Sequence, residues 1–356
     1  MAKFGLPALL KTMVDQGASD LHITVGVPPQ FRINGKMIKV KMPSLTDQDT
    51  KELCYSIVTE SQKVEFERKL ELDFSFSLKG VSRFRGNIFY QRGKIGGVFR
   101  TIPLEIPQFD SLGLPQVLKD IINAPNGLIL VTGPTGSGKS TSLASLLDIL
   151  NNKEYGHIIT VEDPIEFIHP HKNCIVNQRE VGSDTLNFGS ALKRVLRQDP
   201  DYVLIGELRD LETVEMALKM AETGHLVFAT LHTNNAVQSI NRMVNVFPPH
   251  QQSQIRQVLS FSLQAVLCQQ LILTSDGSTR VMAYELMIPT AGIRNLIRED
   301  KIHQIYSLMQ SGQGETGMQT MNQSLINLVK GNRISKETAL ERSTAPEEIK
   351  KQLMSL

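Results

Sequence analysis

Over the first hundred residues, hydrophobic and polar positions fall into short blocks that predict a mixed α+β unit. A helix is predicted from Leu6 to Gln16, followed by DLHITVG, a short strand ending at Gly26. Asn34-Gly35, between FRI and KMIKV, is a two-residue hairpin signal. Residues 45–70 carry a long helical pattern that opens on Thr46 and Asp47 as capping residues and predicts two helices. A period of two then sets in. Phe74, Phe76 and Leu78 share one face of a strand, and Phe84, Ile88 and Tyr90 share one face of the next. That places Arg83, Arg85 and Asn87 on the opposite face. GGVFRTIP closes the group, and Pro103, Pro107 and Pro115 mark a semi-rigid linker. The predicted organisation is an N-terminal domain over 1–102, a linker over 103–115 and a second domain over 116–356.

In the second domain GLILVTG, HIITVED, DYVLIGEL and HLVFATLHT are short apolar runs separated by helical patterns. Such runs suit strands buried on both faces of a parallel sheet. Beyond residue 250 the pattern predicts helix nearly throughout, except for RVMAYELMI. The fold class expected is therefore α/β, with a smaller α+β domain in front and a helical C-terminal region behind.

Composition narrows the function classes. With 41% hydrophobic and 21% charged residues, the chain has the make-up of a folded globular protein, which excludes disorder and a disulfide-stapled miniprotein. Lys+Arg 38 against Asp+Glu 36 leaves +2, and aromatics are 6% with no Trp, so neither a polybasic field nor stacking platforms point to nucleic acid. Cys54, Cys174 and Cys268 form no CxxC pair, which argues against a zinc ribbon or redox dithiol and for a reducing compartment. No run of about 18 apolar residues occurs, and MAKFGLPALL is too short and weakly basic for a signal peptide. A cytoplasmic protein, at most peripheral to a membrane, is expected.

The strongest chemical signal is Gly133-Pro134-Thr135-Gly136-Ser137-Gly138-Lys139-Ser140, a complete GxxxxGK[ST] between a predicted strand and helix, with Thr141 following. In that helix Leu143, Leu146, Leu147 and Leu150 repeat at i, i+3, i+4, i+7. Glycines let backbone N–H groups turn inward around phosphate oxygens. Lys139 is placed to reach the β- and γ-phosphates of ATP and Ser140 to bind Mg²⁺. DYVLIGELRD delivers Glu207 at the end of an apolar run, where a carboxylate can hold the Mg²⁺ shell or orient water; a loop residue or helix cap is the plainer reading. HIITVEDPIEF supplies Glu162, Asp163 and Glu166, with Pro164 turning the chain. These acids are either a metal- and water-directing group or a solvated loop. His225 and His232 flank LVFATL and, in an extended run, stand about 23 Å apart, so they cannot share a metal. His232 ends its strand where ligands collect in open α/β sheets, although a strand-end histidine is commonly structural. Arg83, Arg85 and Arg100 are cations on candidate strands, solubilising unless a nucleotide needs them.

These blocks, in this order, resemble the secretion ATPase superfamily that powers type II secretion and type IV pili, from ASDLHITVGVPP to GMQTMNQSL. Its Walker A maps onto Gly133–Ser140, its Asp box onto Glu162–Glu166, its Walker B onto Asp201–Glu207 and its His box onto Glu222–His232. The resemblance implies a hexameric ring with a PAS-like N-terminal domain and a RecA-like ATPase core. It implies Glu166 as the water-activating base, Glu207 as support for Mg²⁺ and catalysis, and Arg83, Arg85 and Arg100 as cations acting on nucleotide. Gly292-Ile-Arg-Asn-Leu-Ile-Arg-Glu299 resembles a helix of the pilus-retraction branch; its period alone reads as an ordinary amphipathic helix with Ile293, Leu296 and Ile297 buried and Arg294, Arg298 and Glu299 exposed. Assembly members usually carry a tetracysteine zinc site, and the corresponding region here has only Cys268. The implied function is ATP-driven type IV pilus retraction at the cytoplasmic face of the bacterial inner membrane. The implied partners are an inner-membrane platform protein and, indirectly, pilin. Accessory retraction, pilus assembly or secretion, and nucleic-acid translocation are the alternatives.

Overall fold

The structure is a computed structural model that describes residues 5–33, 35–103 and 105–354. The chain forms two units. The first runs up to Glu105 and includes Glu166–Ile168; the second comprises Ile106–Ile165 and the chain from His169 onward.

In the first unit, helix α1 (Leu6–Asp15) buries Leu6, Leu9, Leu10 and Met13, a single stripe at helical spacing. Strands β1 (Asp20–Ile23), β2 (Gln30–Ile33) and β3 (Lys36–Lys39) follow. Ile33 pairs with Lys36 as a hairpin requires; Gly35 has φ +79°, and the expected turn residue Asn34 lies outside the described residues. Helices α2 (Asp47–Tyr55) and α3 (Glu60–Lys69) each begin with a capping box, Thr46 with Asp49 and Thr59 with Gln62. Strands β4 (Glu71–Leu78), β5 (Ser82–Gln91) and β6 (Lys94–Ile102) complete an antiparallel sheet of order β3-β2-β1-β6-β5-β4. Phe31, Phe84, Ile88 and Phe99 fill its core. Tyr90, expected beside Phe84 and Ile88, is half out of that core and stacks on Phe66 with ring centroids 5.0 Å apart.

The second unit holds strands β7 (Gly127–Thr132), β8 (His157–Glu162), β9 (Ile175–Glu180), β10 (Tyr202–Ile205), β11 (Leu226–Leu231), β12 (Leu263–Leu273) and β13 (Arg280–Met287). Their order is β13-β12-β7-β11-β10-β8-β9, parallel except for the β12–β13 pair. Helices α4 (Leu118–Ile121), α5 (Lys139–Lys153), α6 (Phe188–Val195), α7 (Leu211–Glu222), α8 (Ala236–Asn245) and α9 (Pro249–Ser262) accompany them. After β13 come α10 (Ala291–Arg298), α11 (Ile305–Ser311), α12 (Gln313–Thr316), α13 (Met321–Lys330), α14 (Lys336–Arg342) and α15 (Pro346–Met354). Every residue of β7 and β11 is buried, as the continuous apolar runs predict. Met321, Leu325, Ile334, Ala339 and Ile349 form a satellite core against Ile272 and Ala283 of the β12–β13 hairpin. Among the described residues no helix is long and apolar enough to cross a membrane.

One expectation fails: the chain after residue 250 is not helical up to RVMAYELMI. LQAVLCQQLIL is the long strand β12, parallel to β7 on one side and antiparallel to β13 on the other. A run apolar on both faces has neither a helical nor a strand period, so its neighbours decide its state.

Buried His169 sits in the second unit with its Nδ1 unpaired among the described residues. Burial lowers its pKa from 6.5 to about 4. The unfolded chain therefore takes up a proton from about pH 6.5 downward while the folded form does not, so stability falls with pH across that window. The gap corresponds to roughly 3 kcal/mol by about pH 4. Chemical denaturation at pH 7, 5.5 and 4.5 is expected to show this slope and a flatter one in His169→Gln; equal slopes would remove His169 as its source.

Candidate active site

The phosphate loop begins where β7 ends. Gly133 has φ +141°, and a Cβ there would lie 2.3 Å from the Gln269 carbonyl oxygen, so only glycine fits. Gly138, at φ +88°, is the N-cap of α5, and no side chain caps that helix. The N–H groups of its first turn (Lys139, Ser140, Thr141) have no intrahelical acceptor and converge at the positive end of the helix dipole. The Lys139 ammonium, buried to 9% exposure, donates to the carbonyls of Gly133 at 2.9 Å and Pro134 at 3.1 Å. Behind it Leu143, Leu146, Leu147 and Leu150 are all buried, at the predicted spacing.

Parallel pairing gathers the remaining groups. Leu231 of β11 pairs with Thr132 of β7, Ala229 with Ile205 of β10, and Ile205 with Val161 of β8. The residues that follow these strands therefore share one carboxyl edge with the loop. There the Gly206 N–H donates to Val161 O at 2.8 Å and the Leu208 N–H to Thr230 O at 3.0 Å, fixing the backbone on both sides of Glu207. The Glu207 carboxylate lies between Arg209 Nη2 at 2.8 Å and His232 Nε2 at 3.4 Å. Burial pulls its pKa upward, but Arg209 and then His232 outweigh this and hold it below the usual carboxylate range. The capping role left open for an acid in this segment belongs to Asp210, which caps α7 in a box with Thr213.

Glu162, 8% exposed at the end of β8, accepts from Thr160 Oγ1 at 2.6 Å and Gln178 Nε2 at 3.4 Å. After the cis Asp163–Pro164 bond, the Ile165 N–H donates to Glu180 Oε2 at 3.0 Å. The exposed Glu166 follows and belongs to the first unit. Arg83, Arg85 and Arg100 belong to that unit too. Arg100 Nε donates to the buried Asp20 at 2.7 Å, and Arg85 lies 3.8 Å from Asp73. Arg32, Asp20, Arg100 and Arg85 form one register row across β2, β1, β6 and β5. The second unit thus brings together the loop, Glu162, Glu207 and His232, while Glu166 and the three arginines are carried by the first.

Beside the first turn of α5 opens a cavity of about 610 Å³, bordered by Gly138, Thr141 and Ser142 and by Leu271, Met282 and Tyr284 of the β12–β13 hairpin. That volume is in the range of small-molecule sites. Outside the lining of that cavity, the Ser140 hydroxyl at the helix start and the Glu162 and Glu207 carboxylates at the carboxyl edge of the sheet are hard oxygen groups of the kind Mg²⁺ takes.

Sequence reasoning missed two residues here. Arg209 was visible two positions after Glu207, but nothing local said that its guanidinium would turn back onto that carboxylate. Gln269 touches the phosphate loop across 132 positions of sequence, through Nε2 to Ser137 O at 2.7 Å, and had no motif to announce it. Helix α10 differs in a smaller way. Ile293 and Ile297 are buried and Leu296 partly so, but Arg294 and Arg298 are half-buried rather than exposed. Arg294 Nη1 donates to Ser260 O at 2.5 Å and Phe261 O at 3.0 Å, capping the end of α9, and Arg298 lies over the Phe261 ring.

Comparison with known proteins places this architecture. The chain is 52% identical to the type IV pilus retraction ATPase PilT of Pseudomonas aeruginosa over 339 residues, 95% of this chain and 98% of the relative. It is 42% identical to the type IV pilus ATPase PilU of the same organism, over 96% of this chain and 89% of the relative. The crystal structure of the pilus retraction motor PilT with bound ADP superposes with a TM-score of 0.93 at 50% identity, covering 98% of this chain and 100% of that one. The fold is the one expected, a RecA-like P-loop core with a smaller α+β unit and a helical C-terminal region. Residues 5–287 match the model of the Type II/IV secretion system protein family, and the chain belongs to that family.

Proposed function

We propose that this protein is a motor ATPase that couples ATP hydrolysis to retraction of type IV pili. The observation that carries the reading is the intact phosphate loop on an uncapped α5 in a chain 52% identical, nearly end to end, to a pilus retraction ATPase. The ten-point lower identity to PilU favours retraction proper over the accessory role.

Gly133 to Thr141 hold the phosphates, with the first-turn N–H groups of α5 and Lys139 as donors. Binding requires Lys139 to exchange the carbonyls of Gly133 and Pro134 for phosphate oxygens, which keeps the ammonium paired throughout. Ser140 would hold Mg²⁺, with Glu207 and Glu162 contributing through water, and the ion would supply charge neutralisation to the phosphates. Glu207 stays ionised because Arg209 and His232 flank it, and His232 reports on the γ-phosphate side of that carboxylate. Glu166 orients the attacking water, and Arg83, Arg85 and Arg100 offset the charge that develops on the phosphates. The cavity beside Thr141 and Tyr284 receives the nucleoside. The working assembly is a homohexamer at the cytoplasmic face of the inner membrane, acting on a platform protein and through it on pilin.

The test is a strain lacking this gene. Abundant surface pili together with lost surface motility is the expected result, since filaments form and are not withdrawn. Bare cells would make the protein an assembly motor, and an unchanged pilus count with normal motility would remove it from retraction.

A further inference from the structure

We propose that Gln269 is a positioning residue for the nucleotide phosphates, acting by locking the Ser137–Gly138 peptide of the loop. This rests on the reading of that loop as the phosphate site. Strand β12 runs parallel to β7 and their last rung pairs Cys268 with Thr132, so Gln269 comes level with the first residue of the loop. Its carbonyl oxygen occupies the space where a Gly133 side chain would begin. Its own side chain, fully buried, reaches under the loop: Nε2 donates to Ser137 O at 2.7 Å, and a Cβ on Gly138 would stand 3.2 Å from that nitrogen.

The consequence follows from peptide planarity. In a trans peptide the C=O and the next N–H point in opposite directions. Gln269 draws the Ser137 carbonyl toward the sheet, so the Gly138 N–H is turned to the other side of the loop, the side on which the first-turn donors of α5 lie. The peptide is flanked by Gly138 at φ +88° and preceded by Gly136 at φ +78°, residues that resist a peptide flip least. An outside clamp is therefore needed to hold one orientation.

The chemistry of the amide supports this role over simple packing. Its Oε1 is buried with no hydrogen-bond partner among the described residues. An apolar side chain of similar size would avoid that desolvation cost, so Gln269 is a poor choice for core stability alone. Turning the amide over offers no relief, because it would set Oε1 against the Ser137 carbonyl oxygen.

The experiment compares full-length wild type with Gln269→Met (nearly the same shape), Gln269→Leu and Lys139→Ala. It measures binding of a fluorescent ADP analogue with Mg²⁺, steady-state ATP hydrolysis, and thermal unfolding without nucleotide. The expected result for the two Gln269 variants is a melting temperature little changed, because removing the orphaned Oε1 offsets the loss of the bond to the buried Ser137 carbonyl. ADP affinity should be about tenfold weaker and KM for ATP should rise in parallel, with kcat within about twofold, the signature of lost ground-state binding. A folded Gln269→Met or Gln269→Leu protein that binds the probe within twofold of wild type would overturn the proposal. So would a melting temperature that drops while affinity holds, since that is what a packing role predicts. If Lys139→Ala also binds the probe normally, the phosphate-loop reading fails instead, which keeps the two failures distinct.

Discussion

Lys139→Ala is expected to cut ATP turnover by about a thousandfold or more and to weaken nucleotide binding. The loop has one ammonium, held between two of its own carbonyls and nearly closed off from water. In such surroundings a positive charge aimed at phosphate oxygens acts through a lower effective dielectric than in solution. Loss of one preorganised donor at developing charge typically costs two to three orders of magnitude, about 3–4 kcal/mol. Here the same group also contributes to ground-state binding, so KM and kcat both suffer. Steady-state hydrolysis by purified protein measures the effect, with thermal unfolding as the control for folding. Turnover within tenfold of wild type would show that the loop is not the catalytic phosphate site.

Glu207→Gln separates chemistry from binding. The amide keeps the shape of the side chain and can still accept from Arg209 at one oxygen, but it carries no charge. If the carboxylate supports Mg²⁺ and water in the transition state, kcat should fall about a hundredfold to a thousandfold while ADP affinity stays within a few-fold. If it serves only to hold Arg209 and His232 in place, the melting temperature should fall and kcat should not. The carboxylate is held in its charged form: Arg209 at 2.8 Å and His232 at 3.4 Å keep the Glu207 pKa below the usual carboxylate range despite its burial. Asp210 is the internal control. It caps α7 through Thr213, so Asp210→Ala should lower stability by about 1 kcal/mol and leave the chemistry unaffected.

Much of the candidate site is legible in the sequence because its parts are local. The phosphate loop needs a strand end, glycines at left-handed positions and a helix start, all within fourteen residues of one another, and each leaves a mark in composition or period. The same is true of the threonine capping boxes of α2 and α3, whose partners sit three residues away, and of the leucine stripe on α5. The α10 segment was legible as an amphipathic helix. Its arginines are less exposed than the period alone predicts because the end of α9, which receives Arg294, lies some thirty residues back along the chain.

What the sequence alone determined, then, is whatever depends on neighbours within a turn or two: the two kinds of unit, the phosphate loop and the acids that end their strands. The tertiary structure decided what depends on pairing between distant segments. It made LQAVLCQQLIL a strand, because β7 and β13 offer backbone partners on both sides and burial on both faces erases any period. It turned Arg209 back onto Glu207 and set His232 opposite, because β10 and β11 end side by side. It put Gln269 under the loop, because β12 lies against the strand that feeds it. The physical reason is common to all three. Local rules act through torsions and hydrogen bonds a few residues apart, whereas a parallel sheet assembles one edge from strand ends that are remote in sequence.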